Sequence, residues 1–268
     1  MSDAWRRTVH AMGMPFRVTV ADPGALGPEE LERAVGRLHA ELEWADDVFS
    51  LWRDDSCISA LHRGEITIDE GPLELLEVLQ ACEWYRGATG GAFDARGPNG
   101  LDPTGLVKGW AVERAARALA GVGAWMVDAA GDILVSGVDA RGEGSEDRTW
   151  RVGIADPRVQ GDPDGAATID VVRLGGRLRA LATSGTAQRG AHIWDPATGE
   201  PARHVLQASV AGASLVEADV WATAVVAGGL EALSAAADAG LEALVVVAER
   251  QDGSYDTVAT PGWPSALD

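Results

Sequence analysis

Lysine is all but missing from this chain: Lys108 is the only one among 22 Lys and Arg in 268 residues. Basic residues as a whole are outnumbered, since 41 Asp and Glu leave a formal net charge of −19. A surface of that sign repels nucleic-acid phosphates and anionic lipid, so neither is expected as a partner. An anionic ligand must be met by a local set of donors or by a metal, because the global field opposes it. Cysteine is also scarce, and Cys57 and Cys82 make neither a disulfide framework nor a metal cluster. The first twenty residues, MSDAWRRTVHAMGMPFRVTV, have no long apolar core and no small-residue cleavage site. The expectation is a cytoplasmic protein without signal peptide, lipid anchor or membrane span. Several familiar signatures are missing too. Gly87–Gly91 (GATGG) lacks the lysine spacing of a P-loop, no GxGxxG joins a strand to a helix, and neither GxSxG nor HExxH occurs.

What is present is ordinary globular composition, 46% hydrophobic and 24% charged, in a length that suits one large domain or two intimately packed ones. Phe16–Ala21 alternates as a strand. Pro28 opens a helix with acids in its first turn, PEELERAVGRLHAELEWADDVF. Ser56 is a candidate N-cap for a short helix. Glu65–Ile68 reads as a short strand, Leu73–Tyr85 as a helix, and Gly87–Gly100 as irregular. Val107–Leu119 has helical spacing, which puts Lys108 in the first turn of its helix. Trp125–Asp128 and Ile133–Ser136 read as strands paired around Ala130-Gly131-Asp132. Trp150–Ala155 is a further strand, and Thr168–Arg173 with Arg179–Thr183 bracket Gly175-Gly176 as a hairpin. Val205–Ala211 is a strand, Ser214–Ala237 a helix interrupted at Gly228-Gly229, and Ala243–Val247 a buried strand. No repeat or long linker divides the chain. The fold class expected is α+β, helices packed on mixed sheets, with residues 1–268 as one domain.

Few residues stand out chemically. Asp219 and Thr223 are four apart on a helix and so share a face. A carboxylate and a hydroxyl are hard oxygen ligands suited to Mg²⁺ or Ca²⁺, although a solvated Asp and a core Thr would show the same spacing. Lys108, as a cation near a helix start, opposes the macrodipole unless an anion is bound there. A lysine lying over Trp110 is the plainer alternative. His192, in His-Ile-Trp-Asp-Pro-Ala-Thr-Gly, has the most structured setting of the five histidines and could act as a base, or it hydrogen-bonds its own turn. Thr183-Ser184-Gly185 offers hydroxyls and N–H groups to a phosphate, or is an ordinary turn. Asp128 and Asp132 flank a tight turn and could assist metal binding, although turn propensity alone explains them; Asp195 and Thr198 read first as turn formers. None of the ten Trp is singled out for a ligand-stacking role.

Taken in order, these segments resemble the ApbE family, the FAD:protein FMN transferases. Met12-Gly13 before a strand is similar to the family's MG-T. Phe49-Ser50 with Ser56–Leu61 is similar to F-S…S-x-(I/L)-S-x-L. Thr89–Asp94 (TGGAFD) resembles T-x-G-x-F-D, and Gly105–Gly109 (GLVKG) resembles G-I-A-K-G. Val127–Asp132 resembles V-D-x-G-G-D. Thr183–Gly185 followed by His192–Gly199 resembles T-S-G…H-I-x-D-P-x-T-G, and Ala218-Asp219 with Ala222-Thr223 resembles A-D-x-x-A-T.

The resemblance implies an ApbE-like fold and a Mg²⁺-dependent enzyme. It would use FAD as substrate, attach FMN to a Thr or Ser hydroxyl of an acceptor protein, and release AMP. It implies Asp219 and Thr223 as metal ligands with the backbone carbonyl of Val107 as a third. His192 and Asp219 would be catalytic, and Met12, Lys108, Ser184 and Gly185 would bind the cofactor. An FAD pyrophosphatase and a flavin-binding protein without turnover are the other readings. Three departures stand out. Only Ala95–Thr104 separates F-D from the Lys108 motif, where many members have a long segment that helps enclose the cofactor. Ala130 replaces the first Gly of G-G-D, and Val107 replaces an Ala.

Overall fold

The structure, a computed structural model, describes residues 4–97, 100–137, 149–158, 167–185 and 193–267. Its centre is an eight-stranded sheet in the order β1-β2-β5-β6-β9-β10-β11-β12. The strands are β1 (Trp5–Ala11), β2 (Met14–Asp22), β5 (Ala124–Ala129), β6 (Asp132–Ser136), β9 (Ala180–Gly185), β10 (Gln207–Gly212), β11 (Glu242–Glu249) and β12 (Tyr255–Ala259). Two-residue strands β3 (Arg96–Gly97) and β4 (Gly100–Leu101) form a small hairpin, and β7 (Trp150–Ala155) with β8 (Thr168–Leu174) form a separate ribbon. The α+β expectation stands, and every pairing among these strands is antiparallel.

The two faces of the sheet have different covers. One carries α1 (Pro28–Phe49), α4 (Thr104–Ala116) and α5 (Leu215–Asp238) over the larger apolar core. The other is covered by the β7–β8 ribbon over a smaller cluster that includes Trp150, Ile154, Val172 and Leu174. Side chains alternate across a strand. In β6, Ile133 and Val135 enter the ribbon-side core and Leu134 the helix-side core, which puts Asp132 on the helix side with Leu134. In β9, Leu181 faces the ribbon while Ala180 and Ala182 face the helices, and Ser184 follows them. The period of two therefore aims Asp132 and Ser184 at the helix layer.

Several expectations meet the structure directly. Helix α1 has the predicted bounds, with Gly27 N–H accepted by Glu30 Oε2 at 2.8 Å. Ser56 caps α2 (Cys57–His62), its Oγ accepting from Ser59 N at 3.1 Å. Helix α3 (Leu73–Ala88) extends the predicted span. In α5, Gly229 is non-helical at φ 64°, ψ −145°, where the interruption was expected.

Others need correction. Glu65–Ile68 is no strand; a 3₁₀ turn occupies Ile68–Glu70, stapled by Glu70 accepting from Thr67 N. The hairpin around Gly175-Gly176 does not form. Gly175 and Leu178 make an isolated bridge, after which β8 joins the ribbon and β9 the main sheet. Tight turn chemistry there serves a corner between sheets rather than a hairpin. Strands β1 and β12 at the sheet edges were not predicted. Helix α4 begins at Thr104, three residues before the predicted start, because Asp102 Oδ1 accepts from Thr104 N at 2.9 Å and fixes the entry. Lys108 consequently sits beyond the first turn, and the dipole argument for it lapses. Helix α5 is long and apolar enough to span a bilayer, but 61% of its most apolar window is buried against the rest of the chain.

Candidate active site

Helices α4 and α5 pack antiparallel with almost no gap. A Cβ on Gly109 would lie 2.7 Å from Leu215 O, and one on Gly105 would lie 3.5 Å from Thr223 Oγ1. Glycine at both positions lets the helix backbones approach. The contact is polar as well as close. Gly109 N donates to Asp219 Oδ2 at 3.2 Å, and Glu113 Oε1 accepts from Leu215 N at 2.5 Å. The second bond satisfies one of the N–H groups left open at the start of α5; Ser214 Oγ accepts another from Glu217 at 3.3 Å.

That docking fixes a charged cluster. Lys108 Nζ is 2.5 Å from Asp132 Oδ2 and 3.7 Å from Asp219 Oδ1. Both carboxylates are buried, at 1% and 2% exposure. Asp132 Oδ1 accepts from Thr183 N at 3.1 Å, tying β6 to β9. Among the described residues, Asp132 Oδ2 meets the lysine as an ionic contact without hydrogen-bond geometry. Two buried carboxylates thus converge on the one lysine at this end of α4. Asp128, at the start of the same turn, accepts from Gly131 N at 2.8 Å and lies 3.6 Å from Arg17. Burial pushes its carboxyl above the usual range, against the lowering effects of that N–H and of Arg17.

Above the cluster is a cavity of about 320 Å³. Its lining includes Met12, Val107, Lys108, Ser184, Asp219 and Thr223. Ser184 Oγ is 3.3 Å from Thr223 Oγ1, and Asp219, Thr223 and Ala227 form one i, i+4 stripe of α5 along the wall. Gly185 is set back from this lining; a Cβ there would lie 2.9 Å from Leu206 O, so its bareness serves strand packing. His192 lies outside the described residues. The T-x-G-x-F-D segment is held by Thr89, whose hydroxyl donates to Tyr85 O at 2.8 Å and accepts from Phe93 N at 3.0 Å. Phe93 thereby reaches the cavity beside Gly105.

Sequence reasoning missed Asp132 as the lysine's partner, having read it as a turn acid. It also missed Trp194, Asp46, Asp94 and Asp102 on the cavity wall. The alternation in β6 was enough to put Asp132 on the Leu134 face; Trp194, Asp94 and Asp102 depend on loop placement, and Asp46 on how α1 docks.

The donors fit a hard divalent cation only in part. Asp219 supplies a carboxylate, Thr223 a hydroxyl and Val107 a nearby backbone. Among the described residues no group of three or more His, Cys, Asp or Glu could hold a metal. Such a sparse set suits Mg²⁺, which keeps several waters and takes further oxygens from a phosphate ligand.

Fold and site together define an α+β protein with a lysine–carboxylate cluster at the floor of a ligand-sized cavity. The sequence pattern described as ApbE family matches residues 12–98 and 95–245, and the chain belongs to the ApbE family. No curated protein matches it. The flavin transferase ApbE from Vibrio cholerae superposes with a TM-score of 0.76 at 22% identity, covering 97% of each chain. The Pseudomonas stutzeri flavinyl transferase ApbE, in its apo form, gives 0.74 at 22% identity, covering 97% of this chain and 95% of that one. The ApbE protein from Thermotoga maritima gives 0.73 at 19% identity, over 95% and 96%. The chain thus shares its fold over nearly its whole length with these structures.

Proposed function

We propose that this chain is a Mg²⁺-dependent FAD:protein FMN transferase, which attaches FMN through a phosphoester to a Thr or Ser hydroxyl of an acceptor protein and releases AMP. The observation that carries the reading is Lys108 held between Asp132 and Asp219 on the floor of a cavity that also presents Thr223 and Ser184. An acidic protein with one lysine has placed it where an anion can reach it.

In the proposed reaction the acceptor hydroxyl oxygen bonds to the FMN phosphorus. The pyrophosphate P–O bond breaks and AMP departs with the bridging oxygen. The hydroxyl proton passes to a base, a role the family motif gives to His192. Bound Mg²⁺ would neutralise charge on the phosphate oxygens; Asp219, Thr223 and the Val107 carbonyl would hold it. Lys108 supports the phosphates electrostatically, and the Asp132 contact aims its ammonium. Met12 and Ser184 line the same space and complete the cofactor contacts, with the Gly185 backbone behind them.

Incubation with FAD and Mg²⁺, with and without a threonine-bearing acceptor, tests the proposal by the appearance of AMP and covalent flavin. Covalent flavin on the acceptor, matched by AMP and dependent on Mg²⁺, supports it. FMN and AMP in solution with every acceptor tried would make the protein an FAD pyrophosphatase instead.

A further inference from the structure

We propose that Trp194 is the ring-stacking wall of the cavity, receiving a planar heteroaromatic ring of the bound dinucleotide. The inference rests on the flavin reading above and adds a residue which the family motif leaves open, since Trp194 occupies the unspecified position of H-I-x-D-P-x-T-G.

Three observations carry it. First, Trp194 is half-buried and lines the cavity, with Ile193 and Pro196 beside it. Together with Ala227 these give the cavity apolar lining beside the polar lining of Lys108, Asp219 and Thr223, as a ligand with both phosphates and a flat ring requires. Second, the indole is fixed from behind. A Cβ on Gly97 would lie 3.1 Å from its Nε1, 3.2 Å from its Cε2 and 3.4 Å from its Cζ2, so the ring rests directly on the β3–β4 hairpin. That hairpin belongs to the short Ala95–Thr104 segment, too small to enclose a cofactor alone. Third, the backbone that carries Trp194 is knotted. Trp194 bridges to Pro201, Asp195 N donates to Glu200 O at 2.8 Å, and the Asp195 carboxylate accepts from Ala197 N at 2.8 Å and faces His204 Nε2 at 3.3 Å. A ring backed by the Gly97 backbone and carried on a hydrogen-bonded loop offers its remaining surface at low ordering cost. Trp52, also at the cavity, is 78% exposed and lacks such backing.

Charge points the same way. Asp94 and Asp102 line the cavity and repel phosphate, whereas an uncharged aromatic ring tolerates them. Indole is electron-rich and stacks on the electron-poor isoalloxazine, and it stacks on adenine as on any flat base.

The test is equilibrium binding of FAD, FMN and AMP, each with Mg²⁺, to the wild type, Trp194→Ala, Trp194→Leu and Trp194→Phe. Loss of one stacking face weakens binding by roughly tenfold or more. The expected result is that loss for FAD in the Ala and Leu variants, with Phe retaining most of the affinity. A parallel loss for FMN but not AMP assigns the isoalloxazine ring, and the converse assigns adenine. The Leu variant fills the space without a π-face, so it serves if the Ala variant does not fold. Wild-type FAD affinity in a folded Leu variant overturns this inference and leaves the flavin reading standing. A wild type that binds none of the three ligands overturns both.

Discussion

Lys108 owes its position to two carboxylates. Neutralising it takes an ammonium away from two buried carboxylates, Asp132 and Asp219, which is costly. We therefore predict that Lys108→Met lowers the stability of the ligand-free protein, by about 2–4 kcal/mol given that the lysine keeps some exposure. In thermal melts this is a fall of several degrees. The double variant Lys108→Met/Asp132→Asn should recover part of the loss, because one buried charge goes with it. Unchanged or raised melting of the single variant would contradict the ion-pair account. Asp219 makes a different prediction. Asp219→Asn keeps the Gly109 N–H acceptor and the shape, so folding should survive. Removing the charge should abolish Mg²⁺-dependent release of AMP from FAD, and Thr223→Val should weaken metal dependence less. A Mg²⁺ titration of AMP release checks both, and a wild-type response in Asp219→Asn would remove this residue from the metal site.

At the scale of elements, the α4–α5 contact is what brings Lys108, Asp219 and Thr223 together. Gly109→Ala puts a methyl 2.7 Å from the Leu215 carbonyl, where backbone rather than a flexible side chain must yield. The expected cost is about 1–3 kcal/mol, with loss of FAD turnover as the helices part; a folded variant with normal melting and turnover would contradict the close docking. The β5–β6 turn gives the opposite sign. Ala130 holds φ 53° beside Gly131 at φ 104°, a left-handed conformation that costs a residue with a Cβ about 1 kcal/mol. Ala130→Gly should accordingly raise the melting temperature slightly, and a lowered value would show that its methyl contributes packing.

These elements also show what sequence can convey. Periodicity and capping are local, so α1, the Ser56 cap and the α5 interruption could all be read from residues within a few positions of one another. The Asp219–Thr223 pair was legible for the same reason. The Gly175–Leu178 corner was misread because a tight turn looks the same whether its strands pair or diverge, and the choice is made by distant partners in β7 and β6. The start of α4 was misplaced because Asp102 was not recognised as its anchor. Asp132 was legible as a motif residue but not as an ion-pair partner, since Lys108 meets it only after the helix layer docks on the sheet.

On the scale of the whole molecule, the ribbon is fastened to the main sheet through carboxylates. Asp156 accepts from Arg158 Nη2 at 2.6 Å and from Tyr255 OH at 2.6 Å, and Asp170 accepts from Trp263 Nε1 at 2.7 Å. The Arg158 and Tyr255 bonds hold Asp156 well below the usual carboxylate range. A depressed carboxyl binds fewer protons folded than unfolded, so its stabilisation is full above the unfolded pKa near 4 and is lost as pH falls further. Melting temperature should therefore drop on acidification below about pH 4, and less steeply in Asp156→Asn. Identical acid profiles in the two proteins would exclude Asp156 from that transition.

At a net charge of −19 the proposed phosphate-rich substrate would be drawn only by local positive charge, which Lys108 and the proposed metal would supply against the carboxylates around them. The most direct measurement is a single assay of AMP and covalent flavin in parallel, with FAD, Mg²⁺ and a threonine-bearing acceptor, run on the wild type and Asp219→Asn. The account predicts AMP in step with acceptor-bound flavin for the wild type, neither for the variant, and neither when Mg²⁺ is chelated. Acceptor flavinylation that persists in Asp219→Asn, or a folded wild type that turns over no FAD at all with Mg²⁺ present, would contradict it.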